Sequence, residues 1–211
     1  MTVGAEMPVE ARLAFATHNA HKAAEVRAIL ASGIPGFRPE HLVTSAEVGA
    51  TEPVEDGATF EENALIKARA LAAHTGVLAI ADDSGIAVDI MGGAPGIFSA
   101  RWCGRHGDDV ANLDLLLAQL SDVLPEHRGA AFVCAAAAVH PDGRTVVRLG
   151  RLVGRIVGVP RGTNGFGYDP IFVATGQVLT NGELDPVVKN SISHRGQAFR
   201  ALAVDIPGLL A

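Results

Sequence analysis

An apolar run, Val77 to Ala81, leads directly into two adjacent carboxylates, Asp82 and Asp83, followed at once by Ser84 and Gly85. The run has the length and composition of a buried strand, and Ser-Gly is turn chemistry, so the chain is expected to turn there. In an open α/β sheet, ligands sit outside the carboxyl ends of the strands. Two acids at such an end suit a divalent cation such as Mg²⁺, which takes hard oxygen ligands and keeps several waters. The same residues also describe an acidic strand-to-turn junction whose aspartates cap backbone amides. Gly92, Gly93 and Gly96, just downstream, allow close backbone approach to a ligand. Ser99 and Arg101 then offer a hydroxyl and a fork of donors.

A chain of 211 residues can bury one sizeable core. Its net charge of −6 argues against a nucleic-acid polymer as partner, because that contact needs a broad basic face; a small phosphorylated ligand needs only a local pocket. The longest apolar run, Ala130 to Val139, is half of the ~20 residues that a membrane helix requires. Cys103 and Cys134 have no metal-ligand spacing and are too few for a disulfide framework. With no apolar leader segment in residues 1–11, the reading is a cytoplasmic protein without a membrane partner. Among 17 basic residues only Lys22, Lys67 and Lys189 are lysine. A chain that otherwise writes Arg marks these as positions suited to a compact, flexible point charge.

In chain order, residues 1–11 read as a disordered leader and Leu13 to Ala16 as a short strand. Thr17-His18-Asn19-Ala20-His21-Lys22 then opens a helix to about Leu30. Free amides and the dipole at such a helix start favour anions, although an ordinary Asn19 cap with a solvated Lys22 fits too. Leu42 to Ser45 is a second strand, and Thr59 with Glu62 forms a capping box for a helix to about His74. Glu55 lies outside that helix and is freer to be a ligand. Asp108 or Asp109 caps a helix through Leu120. Pro141-Asp142-Gly143 joins a hairpin of residues 130–139 and 145–157. Residues 160–170 form a Gly-rich loop in which Phe166 and Tyr168 either stack a base or anchor the loop. Residues 189–196, KNSISHRG, are expected to open a terminal helix to about Val204, with polar donors suited to an anion or a purine edge.

Four blocks carry a family resemblance: THNAHKAAEV, EDGATFEENALIKA, ADDSGIAVDIMGGAPGIFSARW, and GFGYDPIF followed by KNSISHRGQA. In this order they span residues 13 to about 203, and together they resemble the inosine triphosphatase family of non-standard purine nucleoside triphosphate pyrophosphatases. The resemblance implies an α/β fold: a mixed, twisted sheet flanked by helices, in two lobes with a central substrate cleft, forming one domain over residues 12–211. It implies Mg²⁺-dependent hydrolysis of ITP, dITP and XTP to the monophosphate and pyrophosphate by a homodimer. By motif position it implies Asp83 as proton acceptor and metal ligand and Glu55 as a second metal ligand. Thr17, His18, Asn19, Ala20, His21 and Lys22 would hold the triphosphate, and Ser84 would touch substrate. Phe166, Gly167, Tyr168, Asp169, Lys189, His194 and Arg195 would frame base and sugar, with His194 and Arg195 donating to the base carbonyl and Asp169 accepting a base N–H. His18 stands where many relatives have Gly, and Trp102 where Tyr is common. A pyrophosphatase for modified pyrimidines or methylated guanine nucleotides fits the SHR block less well, and a silent nucleotide sensor would not need Glu55, Asp83 and Lys22 together.

Overall fold

The computed structural model describes residues 11–211, with the backbone alone at His21. The leader expected over residues 1–11 therefore lies, apart from Ala11, outside the described residues. Among the described residues, six strands and five α-helices follow one another in the order β1 (Leu13–Phe15), α1 (Ala20–Gly33), β2 (Leu42–Thr44), α2 (Phe60–Thr75), β3 (Leu78–Val88), α3 (Asp109–Gln119), β4 (Gly129–Val139), β5 (Thr145–Ile156), β6 (Phe172–Ala174), α4 (Pro186–Ile192) and α5 (His194–Leu210). They form one mixed sheet in the order β2-β1-β3-β4-β5-β6. Its first strands are parallel, with Leu13 opposite both Leu42 and Leu78, whereas β5 and β6 run antiparallel, with Ile156 opposite Phe172.

Parallel neighbours need crossover helices, and α1 and α2 supply them. The chain leaves β1 for β2 on one side and returns to β3 on the other. The carboxyl end of β1 is therefore a topological switch point, where α/β sheets bind ligands. Thr17-His18-Asn19 occupies that end. Helix α1 starts as Asn19 accepts the Lys22 backbone N–H at 3.1 Å, and α2 as Thr59 accepts the Glu62 N–H at 3.1 Å. Gly76 closes α2 in the left-handed conformation, at φ 70°.

Two expectations need correction. The chain does not turn at Ser84-Gly85: β3 continues through both to Val88. Gly85 is there for close approach, because a Cβ on it would lie 2.4 Å from Ser99 Oγ and 2.5 Å from the Gly96 carbonyl oxygen. Asp82 and Asp83 are thus in mid-strand. They still lie beyond the end of β1, since Phe15 pairs with Ile80 and β3 runs on past its neighbour. Second, Lys189 does not open the terminal helix. It sits in the short helix α4, capped by Asp185, and Ser193 breaks the chain in extended geometry before α5 begins. Helix α5 also outruns its expected end, because Ile206 and Leu209 are buried and hold the segment past Pro207.

Chain contacts gather into two compact units. The first holds the described residues up to Asp83, with Ala135–Leu149 and Arg195–Ala211; the second holds Ser84–Cys134 and Gly150–His194. The first unit packs Ala14, Val43, Ala64, Ala68, Leu71, Ala79, Ala81 and Ala137 into an alanine-rich core. The second packs Ile86, Leu116, Phe132, Ile156, Ile171 and Phe172. No helix among the described residues is long and apolar enough to cross a membrane.

Candidate active site

In the first unit, charged side chains gather around the two adjacent acids of β3. Asp82 is 2% exposed. It accepts hydrogen bonds from Lys22 Nζ at 3.4 Å and Arg195 Nε at 3.1 Å. Burial opposes its charge, but Lys22, Arg195 and Lys67 overcome it and hold the carboxyl well below the usual carboxylate range. Arg195 also approaches Glu25 at 3.7 Å. Strand alternation turns the neighbouring Asp83 to the other face. There the Asn63 amide donates to Asp83 Oδ2 at 3.1 Å, and Lys67 Nζ stands 3.7 Å from Oδ1. The same ammonium is 3.2 Å from Glu55 Oε1.

Asn63 and Lys67 are four residues apart on α2, so one helix face presents both to Asp83. The Asn63 Oδ1 accepts the Gly57 N–H at 2.9 Å, which ties the loop carrying Glu55 to the same helix. Burial is the main reason that the Asp83 carboxyl is raised above its ordinary value. Lys67 and Asn63 oppose this, and Glu55 and Asp82 add to it. Burial likewise works against the Lys67 charge, but Asp83, Asp82 and Glu55 more than offset it, and the ammonium pKa is raised.

The helix-start loop is organised around its own cap. Thr17 is buried, and its Oγ1 accepts the Asn19 N–H at 3.1 Å. His18 is exposed, with Nδ1 2.9 Å from Glu52 Oε1, so it joins this loop to the segment leading to Glu55. Ala20 is the first helical residue, and the His21 side chain lies outside the described atoms. Ser84 is half-buried in β3 directly after Asp83.

In the second unit, the Gly-rich loop is clamped from several directions. Tyr168 is buried and its hydroxyl donates to the Ser99 carbonyl at 2.8 Å. Of its two readings, the geometry favours loop anchor over stacking platform. Burial, then Asp109 and Cys103, push its phenol up. Asp109 accepts the Gly167 N–H at 2.9 Å. Asp169, 4% exposed, accepts from the Phe166 N–H at 2.9 Å, from the Asn181 amide at 3.2 Å and from Lys189. Two of these donors sit on Oδ2 and one on Oδ1, so the carboxylate is held in place from both oxygens. Phe166 remains 58% exposed, with Lys189 Nζ 5.2 Å from its ring centroid. His194 stacks on Phe132 at 5.0 Å and 11° between planes.

The structure therefore brings Lys22 and Arg195 together on Asp82, Glu55 and Asp83 on Lys67, and Phe166 and Lys189 on Asp169. His194 and Arg195, adjacent in sequence, are engaged separately: one on Phe132, the other on Asp82 and Glu25. Sequence reasoning flagged Lys67 only through the scarcity of lysine, gave Asn63 no role, and read Asp82 with Asp83 as a cation site rather than as the partner of Lys22 and Arg195. The i, i+4 spacing of Asn63 and Lys67 was the available signal for those two; nothing local announced the partners of Asp82.

Comparison with known proteins follows the same residues. The sequence pattern of the Ham1 family matches residues 13–204. A dITP/XTP pyrophosphatase of Streptomyces avermitilis is 55% identical over 199 residues, covering 94% of this chain and 98% of that protein. The crystal structure of a nucleoside-triphosphatase, dITP/XTP pyrophosphatase, from Mycobacterium abscessus is 52% identical with a TM-score of 0.75, covering 92% of this chain and 98% of its own. A HAM1 protein from Coxiella burnetii is 36% identical with a TM-score of 0.85, over 94% of this chain and 99% of that one.

Proposed function

The chain belongs to the Ham1 family, and from that membership we propose that it hydrolyses dITP, ITP and XTP to the nucleoside monophosphate and pyrophosphate, clearing non-standard purines from the nucleotide pool. The observation that carries the reading is the cluster in the first unit: a raised, buried Asp83 sharing the Lys67 ammonium with Glu55, beside a Lys22–Asp82–Arg195 clamp.

The donor set fits magnesium. Glu55 and Asp83 are hard oxygen ligands that converge on one ammonium, so their oxygens already share the position of a single cation. Among the described residues no group of three metal-ligating side chains gathers. The ion would thus take the rest of its shell from water and substrate, which is its habit. When bound by Asp83 and Glu55, Mg²⁺ supplies positive charge to the triphosphate oxygens and acidifies a water.

The protein's own groups do the remainder. Lys22 and the positive end of the α1 dipole hold phosphate oxygens and offset the charge that builds on the leaving pyrophosphate. Asp82 fixes Lys22 and Arg195 in place. A water oxygen attacks the α-phosphorus, the bond to the bridging oxygen of pyrophosphate breaks, and the water proton passes to Asp83, whose raised pKa suits a base. Asn63 and Lys67 hold that carboxylate in orientation. In the second unit, Phe166 offers its exposed face for stacking, and Lys189 retains N–H donors for a base carbonyl. A homodimer acting in the cytoplasm completes the proposal, and sedimentation of the purified chain checks the dimer.

The deciding experiment is product analysis with a panel of nucleoside triphosphates and Mg²⁺. Pyrophosphate and monophosphate from dITP, ITP and XTP, with GTP weak and ATP weakest, are expected. Release of orthophosphate, or equal kcat/KM for ATP and ITP, would overturn the reading.

A further inference from the structure

The buried acid of the second unit owes one of its hydrogen bonds to a residue that no motif in the sequence singled out. Asn181 is 2% exposed and follows β6 in the segment before α4. Its backbone N–H donates to the Phe172 carbonyl at 2.8 Å, and its side-chain amide donates to Asp169 Oδ1 at 3.2 Å. The other side-chain atom, Oδ1, is buried with no hydrogen-bond partner among the described residues. Turning the amide over would face its oxygen to the carboxylate, two acceptors in contact, so the observed orientation is the one that Asp169 selects. A buried acceptor left unpaired is costly. The cost is tolerated at a position where an apolar side chain would avoid it, so the group that matters is the donor.

We propose that Asn181 is a positioning residue for purine recognition, acting through Asp169. With Oδ1 capped by Asn181, the carboxylate cannot swing, and Oδ2 stays on Lys189 and the Phe166 N–H. The space allows no slack on that side, since a Cβ on Gly165 would lie 2.1 Å from Asp169 Oδ2 and 2.7 Å from Lys189 Nζ. One neutral donor thus fixes both elements that face the base: the Phe166 ring and the Lys189 ammonium beside it. The proposal rests on the reading of this loop as the base site.

Three proteins test it: wild type, Asn181→Ala and Asn181→Asp, each assayed for kcat and KM with ITP and ATP, and each melted by circular dichroism. In Asn181→Ala the ITP-over-ATP ratio of kcat/KM is expected to fall about tenfold, the size of one lost polar contact, with the loss in KM for ITP. In Asn181→Asp an anion faces Asp169, so the ratio falls further at pH 8. It recovers towards pH 6, where a protonated acid can again donate. A variant that melts like wild type and keeps the wild-type ratio would overturn the assignment. So would a loss in kcat equal for both nucleotides, which a structural role produces. Failure of wild type itself to prefer ITP would instead overturn the base-site reading, leaving the two outcomes distinct.

Discussion

The two charged centres of this protein are built on opposite plans. Around Asp82 and Asp83, four acids face three cations across distances of 3.1 to 3.7 Å, and one carboxyl is lowered while its neighbour is raised. Around Asp169, one acid is filled by two neutral donors and one ammonium, inside a loop pinned by Tyr168 and Asp109. On the proposed mechanism, the first plan leaves charge available to a cation and a polyanion that arrive and leave each turnover. The second holds its partners fixed, which on the proposed reading serves discrimination. The two aspartates of β3 divide the first plan further: Asp82 holds two cations in place, and Asp83 is the base of the proposed mechanism.

The sharpest test of that division replaces each acid by its amide. Asp83→Asn is expected to lower kcat by roughly 10²–10⁴, the span of a positioned acid–base group. Because a raised carboxyl pKa means that the fold disfavours the ionised form, losing that charge leaves thermal stability at neutral pH equal or higher. A melting scan without Mg²⁺ checks this, and a drop of several degrees would merge the two roles.

Asp82→Asn should do the reverse and cost about 3–5 kcal/mol of stability, since Lys22 and Arg195 lose a buried counter-charge. The pH dependence has a definite sign. The folded Asp82 pKa is depressed, so the unfolded chain binds its proton first as pH falls. Its contribution is complete above the usual carboxylate pKa and is lost progressively below it. Denaturant titration between pH 7 and 3 should show this slope in the wild type and a flatter one in Asp82→Asn.

A smaller effect is expected from Glu55→Gln, which weakens one hard ligand and should raise the Mg²⁺ concentration for half-activity several-fold. An unchanged metal titration would make Glu55 a partner of Lys67 alone. Smallest is Tyr168→Phe, which removes one hydroxyl donor to Ser99 and should cost about 1 kcal/mol, read as a modest fall in Tm. A large loss of kcat there would mean that the second centre takes part in the chemistry.

Much of this was legible in the sequence where the cause is local. The Thr59 cap, the Asp108 cap and the hairpin at Pro141-Asp142-Gly143 followed from turn chemistry and periodicity, while the mixed sheet came from the family resemblance. Glu55, Asp83 and Lys22 stood out as candidates from strand-end acids, a residue outside its helix and the scarcity of lysine, and family motifs assigned their roles. What was missed has causes at long range. Gly85 is an ordinary turn residue by type, and only Ser99, fourteen positions on, explains why a strand needs it. Asp82 looked like a twin of Asp83 because alternation across a sheet is invisible until the strand is known to continue. Asn181 carries no motif, and its meaning is a hydrogen bond to Asp169 twelve residues away in sequence.

The bond between Arg195 and Asp82 joins residues 113 positions apart. At about 5–20 residues per second, a ribosome delivers Arg195 on the order of ten seconds after Asp82. During that interval the nascent strand carries a buried-side acid with Lys22 but without its guanidinium, and the segment Arg195–Ala211 that closes the first unit has yet to emerge. Completion of the Lys22–Asp82–Arg195 cluster is therefore tied to the late stage of translation. A chain interrupted before residue 195 would hold most of its motifs and lack a working centre, and its unclosed core would expose it to proteolytic clearance.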